Sequence, residues 1–201
     1  MFKEHFRGRN PASFHINPLV KSFIISEAFL WSAWNFFAPI FAIFVASTIK
    51  GGSIEFAAMA FSAHLIARVL TELVESKYLP KASERQKIKI TIIGLLLMSF
   101  SYVGLAFSSE IFHVFLFYSF AGIGIGIASP AKNSLFSTHL DKNKESSEWG
   151  LYDAVVLIGA ALATALGGFI AAQYGFKTLF ILSAVLNLIG ILPYALFRIS
   201  K

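Results

Sequence analysis

Cysteine is absent from the 201 residues. Disulfide frameworks, thiolate catalysis and any zinc site built on cysteine are therefore excluded. Charge is also scarce: Asp, Glu, Lys and Arg together make up 14% of the chain, where ordinary soluble domains carry roughly 25%. No His-Glu-x-x-His pair and no acidic cluster stands at ligand spacing, so no metal and no other cofactor is expected. Asp141-Lys-Asn143-Lys-Glu145 opens like a calcium loop, but Ser146 stands where the turn needs Gly and Tyr152 where the last Glu should be. An intramembrane serine hydrolase would have to pair Ser129 with His64, and Ser129 lacks the surrounding Gly-x-Ser-x-Gly elbow. The expectation is that the chain is not an enzyme.

What the chain has in abundance is apolar surface. It is 56% hydrophobic with 22 Phe, and its mean hydropathy is +0.69. A helix needs roughly 20 apolar residues to cross the hydrocarbon core, so this length accommodates about six crossings and no separate soluble domain. Six apolar runs are found at 19–47, 54–76, 90–107, 111–136, 149–172 and 178–197. Asn17-Pro18 supplies an N-cap with Pro at the first helical position, and Gly51-Gly52 and Tyr174-Gly175 supply turns. Residues 1–17, with Lys3, Arg7 and Arg9 among Phe2, Phe6 and Phe14, read as a basic interfacial arm, and 18–201 as one six-helix transmembrane domain.

The formal charge of +6 sits in small clusters between the runs, which is a pattern of membrane orientation and not of nucleic-acid binding. Lys3, Arg7, Arg9 and Lys21 precede the first run or open it. Lys77, Lys81, Arg85, Lys87 and Lys89 follow the second, Lys132, Lys142 and Lys144 the fourth, and Arg198 and Lys201 the sixth. The other two loops offer only Lys50 and Lys177, and the one cation that remains, Arg68, lies inside the second run. Cytoplasmic loops accumulate such residues, so both termini are expected inside, in a plasma (inner) membrane.

Ionisable groups within a span cost at least about 2.5 kcal/mol against lipid and turn inward. Runs one, two, four and five hold Glu27, Asn35, His64, Arg68, Glu72, Asn133 and Asp153, whereas runs three and six carry no charge. The expected packing therefore puts one, two, four and five around a polar cleft, with three and six outermost. His64, Arg68 and Glu72, four residues apart, share a helical face and form the leading candidate for substrate binding and proton coupling. The alternative is an internal Arg68–Glu72 ion pair that only locks the helices. Glu27 with Trp31, Trp34 and Asn35 is a second candidate, and Asp153 is expected to pair at a helix end with Lys132 or Lys144. Gly159, Ala163 and Gly167 at four-residue spacing would let the fifth span approach a neighbour closely.

Four stretches carry a resemblance. Glu148-Trp-Gly-Leu-Tyr-Asp-Ala154, Gly159-Ala-Ala-Leu-Ala-Thr-Ala-Leu-Gly-Gly168 and Tyr174-Gly-Phe-Lys-Thr-Leu-Phe180 resemble the start, body and exit of the fifth helix in the major facilitator superfamily. Gly122-Ile-Gly-Ile-Gly-Ile-Ala-Ser-Pro130 is similar to that family's glycine-rich fourth helix. The family's Gly-Pro step in the fifth helix falls on Ala163-Thr164, and the loop after the second helix keeps its cations without the family's Gly…Asp…Gly-Arg pattern. The resemblance implies a secondary-active transporter for a small solute, built from two six-helix halves of which this chain supplies one. One half cannot alternate alone. It follows that the chain is expected to act as a homodimer or with a partner half, the alternative being a non-catalytic membrane scaffold or assembly subunit that retains the fold.

Overall fold

The computed structural model describes residues 16–196. The basic arm expected at 1–17 lies outside the described residues except for Ile16 and Asn17, as does the end of the sixth run. Within them the chain is helical throughout, and the β pairing found is one isolated bridge between Lys50 and Glu110. The helices are α1 (Pro18–Asn35), α2 (Phe41–Thr48), α3 (Ile54–Tyr78), α4 (Glu84–Ala106), α5 (Ile111–His139) and α6 (Glu145–Leu196).

The start signals in the sequence operate as capping theory requires. Asn17 accepts the Leu19 N–H on its side chain ahead of Pro18, and Ser53 does the same for Phe56 at α3. Ser83 and Gln86 form a reciprocal capping box that starts α4. The first apolar run is broken: α1 stops near Phe36, a short 3-10 turn occupies Ala38–Ile40 around Pro39, and α2 resumes at Phe41. Proline cannot donate to the helical ladder, and Pro39 marks this interruption.

Five helical segments are long and apolar enough to cross a membrane, the first being α1 and α2 taken together. The expectation of six counted 149–172 and 178–197 separately, and here both fall in α6, which is two helices joined across a kink. Within α6, Gly175 adopts φ 80° and ψ 165°, outside helical geometry and in a region that favours glycine.

α1 packs on α6, α5 packs on both α3 and α4, and α4 also packs on α6. The glycines of the fourth run explain the closeness of α5 to its neighbours. A Cβ at Gly122 would collide with the His64 carbonyl of α3, and one at Gly126 would lie 2.8 Å from the Arg68 carbonyl. Small residues let helix backbones approach where no hydrophobic effect draws them together in lipid. On the other side Gly167 abuts the Phe36 carbonyl, as the four-residue spacing anticipated for this span.

Burial departs from the expected order. α4 and the second half of α6 lie deep, with Leu95, Tyr102, Leu105, Leu179, Phe180 and Asn187 fully buried. Asn187 donates to the Leu95 carbonyl and to Ser99 Oγ, both at 2.7 Å, and so ties these two uncharged spans together. α3 buries only Ala57, Ala60 and His64 and exposes Leu65, Ile66, Val69, Leu70, Leu73 and Val74. Absence of charge does not make a helix peripheral, because apolar and singly polar side chains are also what a packed interior takes.

Candidate functional site

The most buried ion pair among the described residues joins α1 to α5. Lys132 Nζ donates to Glu27 Oε2, and both side chains are 5% exposed. Two phenols complete the carboxylate's shell: Tyr152 Oη donates to Oε2 at 3.2 Å and Tyr194 Oη to Oε1 at 3.1 Å, both from α6. Three groups from two helices thus converge on one carboxylate of a third. Charges removed from water require such compensation.

This arrangement changes the assignment of Lys132. Expected as a loop or helix-end cation opposite Asp153, it lies inside α5, two residues after Pro130, and its partner is Glu27. Asp153 is exposed and forms no ion pair among the described residues. Lys144 instead meets Asp141, at 3.4 Å. Tyr152 and Tyr194 were not among the candidates: a tyrosine in an apolar run carries no signal in hydropathy, and only the fold reveals that its hydroxyl reaches a carboxylate.

The ladder on α3 divides in two. Arg68 Nε donates to Glu72 Oε1 at 2.8 Å, with the two side chains 36% and 32% exposed. His64 turns the other way and is buried. Its Nδ1 lies 3.1 Å from the Tyr118 carbonyl of α5, and its ring stacks on Trp34 and Tyr118 with centroids 5.0 and 4.8 Å away. Asn35 ends α1, where its amide donates to the Trp31 carbonyl at 2.9 Å and its own carbonyl accepts from Thr164 at 3.3 Å. It braces the helix break.

Lys132, His64 and Arg68 do come together around one space. A cavity of about 180 Å³ lies among α1, α3, α4 and α5, lined by Trp31, Trp34, Phe61, His64, Arg68 and Lys132 over an apolar floor that includes Leu95 and Met98. Trp31, Phe61 and Leu65, each partly exposed, stand at its mouth. Glu27 lies behind Lys132 and is not part of the wall. The arrangement offers two cations and an aromatic surface in an otherwise apolar chamber.

The sequence profile of the Major Facilitator Superfamily matches residues 23–201. The chain belongs to this family. Its members are transporters rather than enzymes, and this chain is an integral membrane protein of that fold. The in meso crystal structure of the POT family transporter PepTSo superimposes with a TM-score of 0.77 at 16% identity, over 89% of this chain and 37% of that one. Among curated relatives, the bacillibactin exporter of Bacillus subtilis (strain 168) is 28% identical over 92 residues, which is 46% of this chain and 23% of the exporter. The proton-coupled antiporter flippase LtaA of Staphylococcus haemolyticus (strain JCSC1435) is 24% identical over 163 residues, 81% of this chain and 41% of the flippase. The chain thus spans well under half the length of each of these major facilitators.

Proposed function

We propose that this chain is a six-crossing half of a secondary-active transporter for a small solute, and that it works with a second half, either another copy of itself or a separate six-helix chain. The observation that carries the reading is the buried Glu27–Lys132 pair behind the cavity. Such a pair adds little to stability compared with apolar residues of the same size, so its presence calls for a use. We assign Lys132, Arg68 and His64 to the solute-facing wall, Glu27 and Glu72 to holding the two cations, and Glu27 also to proton coupling.

The break at Gly175 supports a reading of six crossings. Uninterrupted, the 52 residues of α6 would extend about 78 Å at ~1.5 Å per residue, against a hydrocarbon core of roughly 30 Å. Two crossings fit. Both termini then lie on the cytoplasmic side of the plasma (inner) membrane, with the cation-rich loops. The need for a second half rests on the chain's share of its relatives' length and on the rocking of two halves that alternating access requires.

Reconstituted liposomes test the reading. Wild type should take up solute under an imposed proton gradient, and Glu27→Gln, compared per folded molecule because it strands Lys132, should keep solute-dependent thermal stabilisation but lose the response to the gradient. Gradient-driven uptake that survives this change would remove Glu27 from the coupling role. A scaffold is the second reading, favoured by the Arg68–Glu72 contact, which closes within one helix and leaves no need of a ligand. If it holds, Arg68→Met with Glu72→Gln should fold and retain every measurable property of the wild type. On the transport reading the same double variant folds and loses solute-dependent thermal stabilisation.

A further inference from the structure

We propose that the cavity takes a single-ring aromatic anion, its ring lying along Trp34 and Phe61 and its negative group meeting Lys132 and Arg68. The inference rests on the transport reading and names the class of solute. Size is the first argument. An apolar cavity of about 150 Å³ accommodates benzene, so 180 Å³ holds one ring with a carboxylate and little more.

The sign of the charge is the second argument. An ammonium carries three donors, and Lys132 makes one hydrogen bond among the described residues, to Glu27. A guanidinium carries five, and Arg68 makes one, through Nε, which leaves both terminal nitrogens without a hydrogen-bond partner there. Both side chains line the cavity, and the carboxylates that answer them do not. The chamber therefore presents free cationic donors and no acceptor of like strength.

The aromatic part is the third argument. Trp34 lies nearly parallel to Tyr118, at 9° and 5.8 Å, Phe61 is parallel to His64 at 9° and 6.1 Å, and Trp34 stacks on His64. The wall is already a set of layered flat rings with Trp31 at its mouth. One more flat ring extends that stack, and offset-stacked rings gain beyond the area they bury. A saturated ring of equal size would lose that gain.

The test uses the purified full-length chain in nanodiscs, read by tryptophan fluorescence and by melting temperature, with benzoate as the probe. Benzoate should quench fluorescence saturably and raise the melting temperature. Cyclohexanecarboxylate should bind at least about 3-fold more weakly, as loss of a stacking contact implies. Benzamide and benzylamine should give no saturable signal. Arg68→Gln should weaken benzoate about 10-fold or more, the usual effect of losing a charge-assisted hydrogen bond. Phe61→Leu, at a half-exposed position where folding is not at stake, should reduce the preference for benzoate over cyclohexanecarboxylate. Equal binding of the two acids, or binding of benzylamine, overturns the proposal. If only acetate or phosphate binds, the aromatic class is wrong and an anion site remains. If no anion binds while liposome uptake persists, the transport reading stands and this cavity is not its site.

Discussion

Glu27 and Lys132 are the residues on which most of the chemistry turns. Each is held by the other in a place with almost no access to water. Removing one member strands the other, a loss of about 3–5 kcal/mol, whereas removing both leaves only packing to repair. Lys132→Met should therefore yield little folded protein, and Glu27→Gln combined with Lys132→Met should recover it, as scored by monodisperse yield and melting temperature. A double variant that is no better than the single one would mean that the pair does not act as a unit. Tyr194→Phe should cost about 1.5–3 kcal/mol, the scale of a hydrogen bond to a charged group, without loss of fold. The sequence marks both charged residues as candidates but not as partners. Periodicity relates residues within one run, and 105 positions separate these two. Lys132 in particular reads as the first cation of a loop because the apolar run thins around Pro130, yet α5 continues past it to His139.

At the scale of the helices, the glycine run of the fourth span is legible in advance as a place of close approach, and the structure shows against what. Gly122 faces backbone, which cannot move aside as a side chain can. Gly122→Ala should destabilise by about 1–3 kcal/mol, the usual result of forcing an extra methyl into a packed interface. Gly150→Ala is the matched control. Nothing lies within 4 Å of a Cβ there, and relief of glycine's helix penalty should leave stability unchanged or raised by up to about 1 kcal/mol. Thermal melts of the two variants side by side decide the matter, and similar behaviour would remove the close α3–α5 contact. The burial of α4 is less legible. Charge content ranks spans by cost in lipid, but Asn187 is uncharged, and its two bonds to α4 depend on a pairing of spans that no single run encodes.

For the whole molecule, the absence of cysteine gives a direct means of mapping the crossings. Ser109, in the turn before α5, and Ser146, in the first turn of α6, are both exposed and are assigned to opposite sides of the membrane. Ser109→Cys should label in intact cells with an impermeant maleimide, and Ser146→Cys only after permeabilisation. The reverse pattern would invert the topology. The second prediction concerns assembly. α3 exposes a continuous apolar face from Leu65 to Val74, and α6 exposes Leu157, Ile158, Leu162, Leu166 and Phe169. These are the surfaces available to a second half. Mass measurement in nanodiscs should find two copies of the chain or a complex with a separate six-helix chain. A transport-competent monomer would refute the need for a second half.

The break at Gly175 has a consequence for how the protein is made. One residue out of helical geometry stands between the arms of α6, so the turn that joins them is short. If each arm is a crossing, as proposed above, the pair is expected to enter the bilayer together as a hairpin. Its tip carries one cation, Lys177, a low charge for a segment to be translocated, and that ammonium rests 4.4 Å above the Phe107 ring at the end of α4. In the folded chain α6 packs on α1 and α4. Truncation before Gly175 would remove the second arm of α6 and with it Tyr194. It would leave the carboxylate of Glu27 without the Tyr194 hydroxyl that helps to hold it.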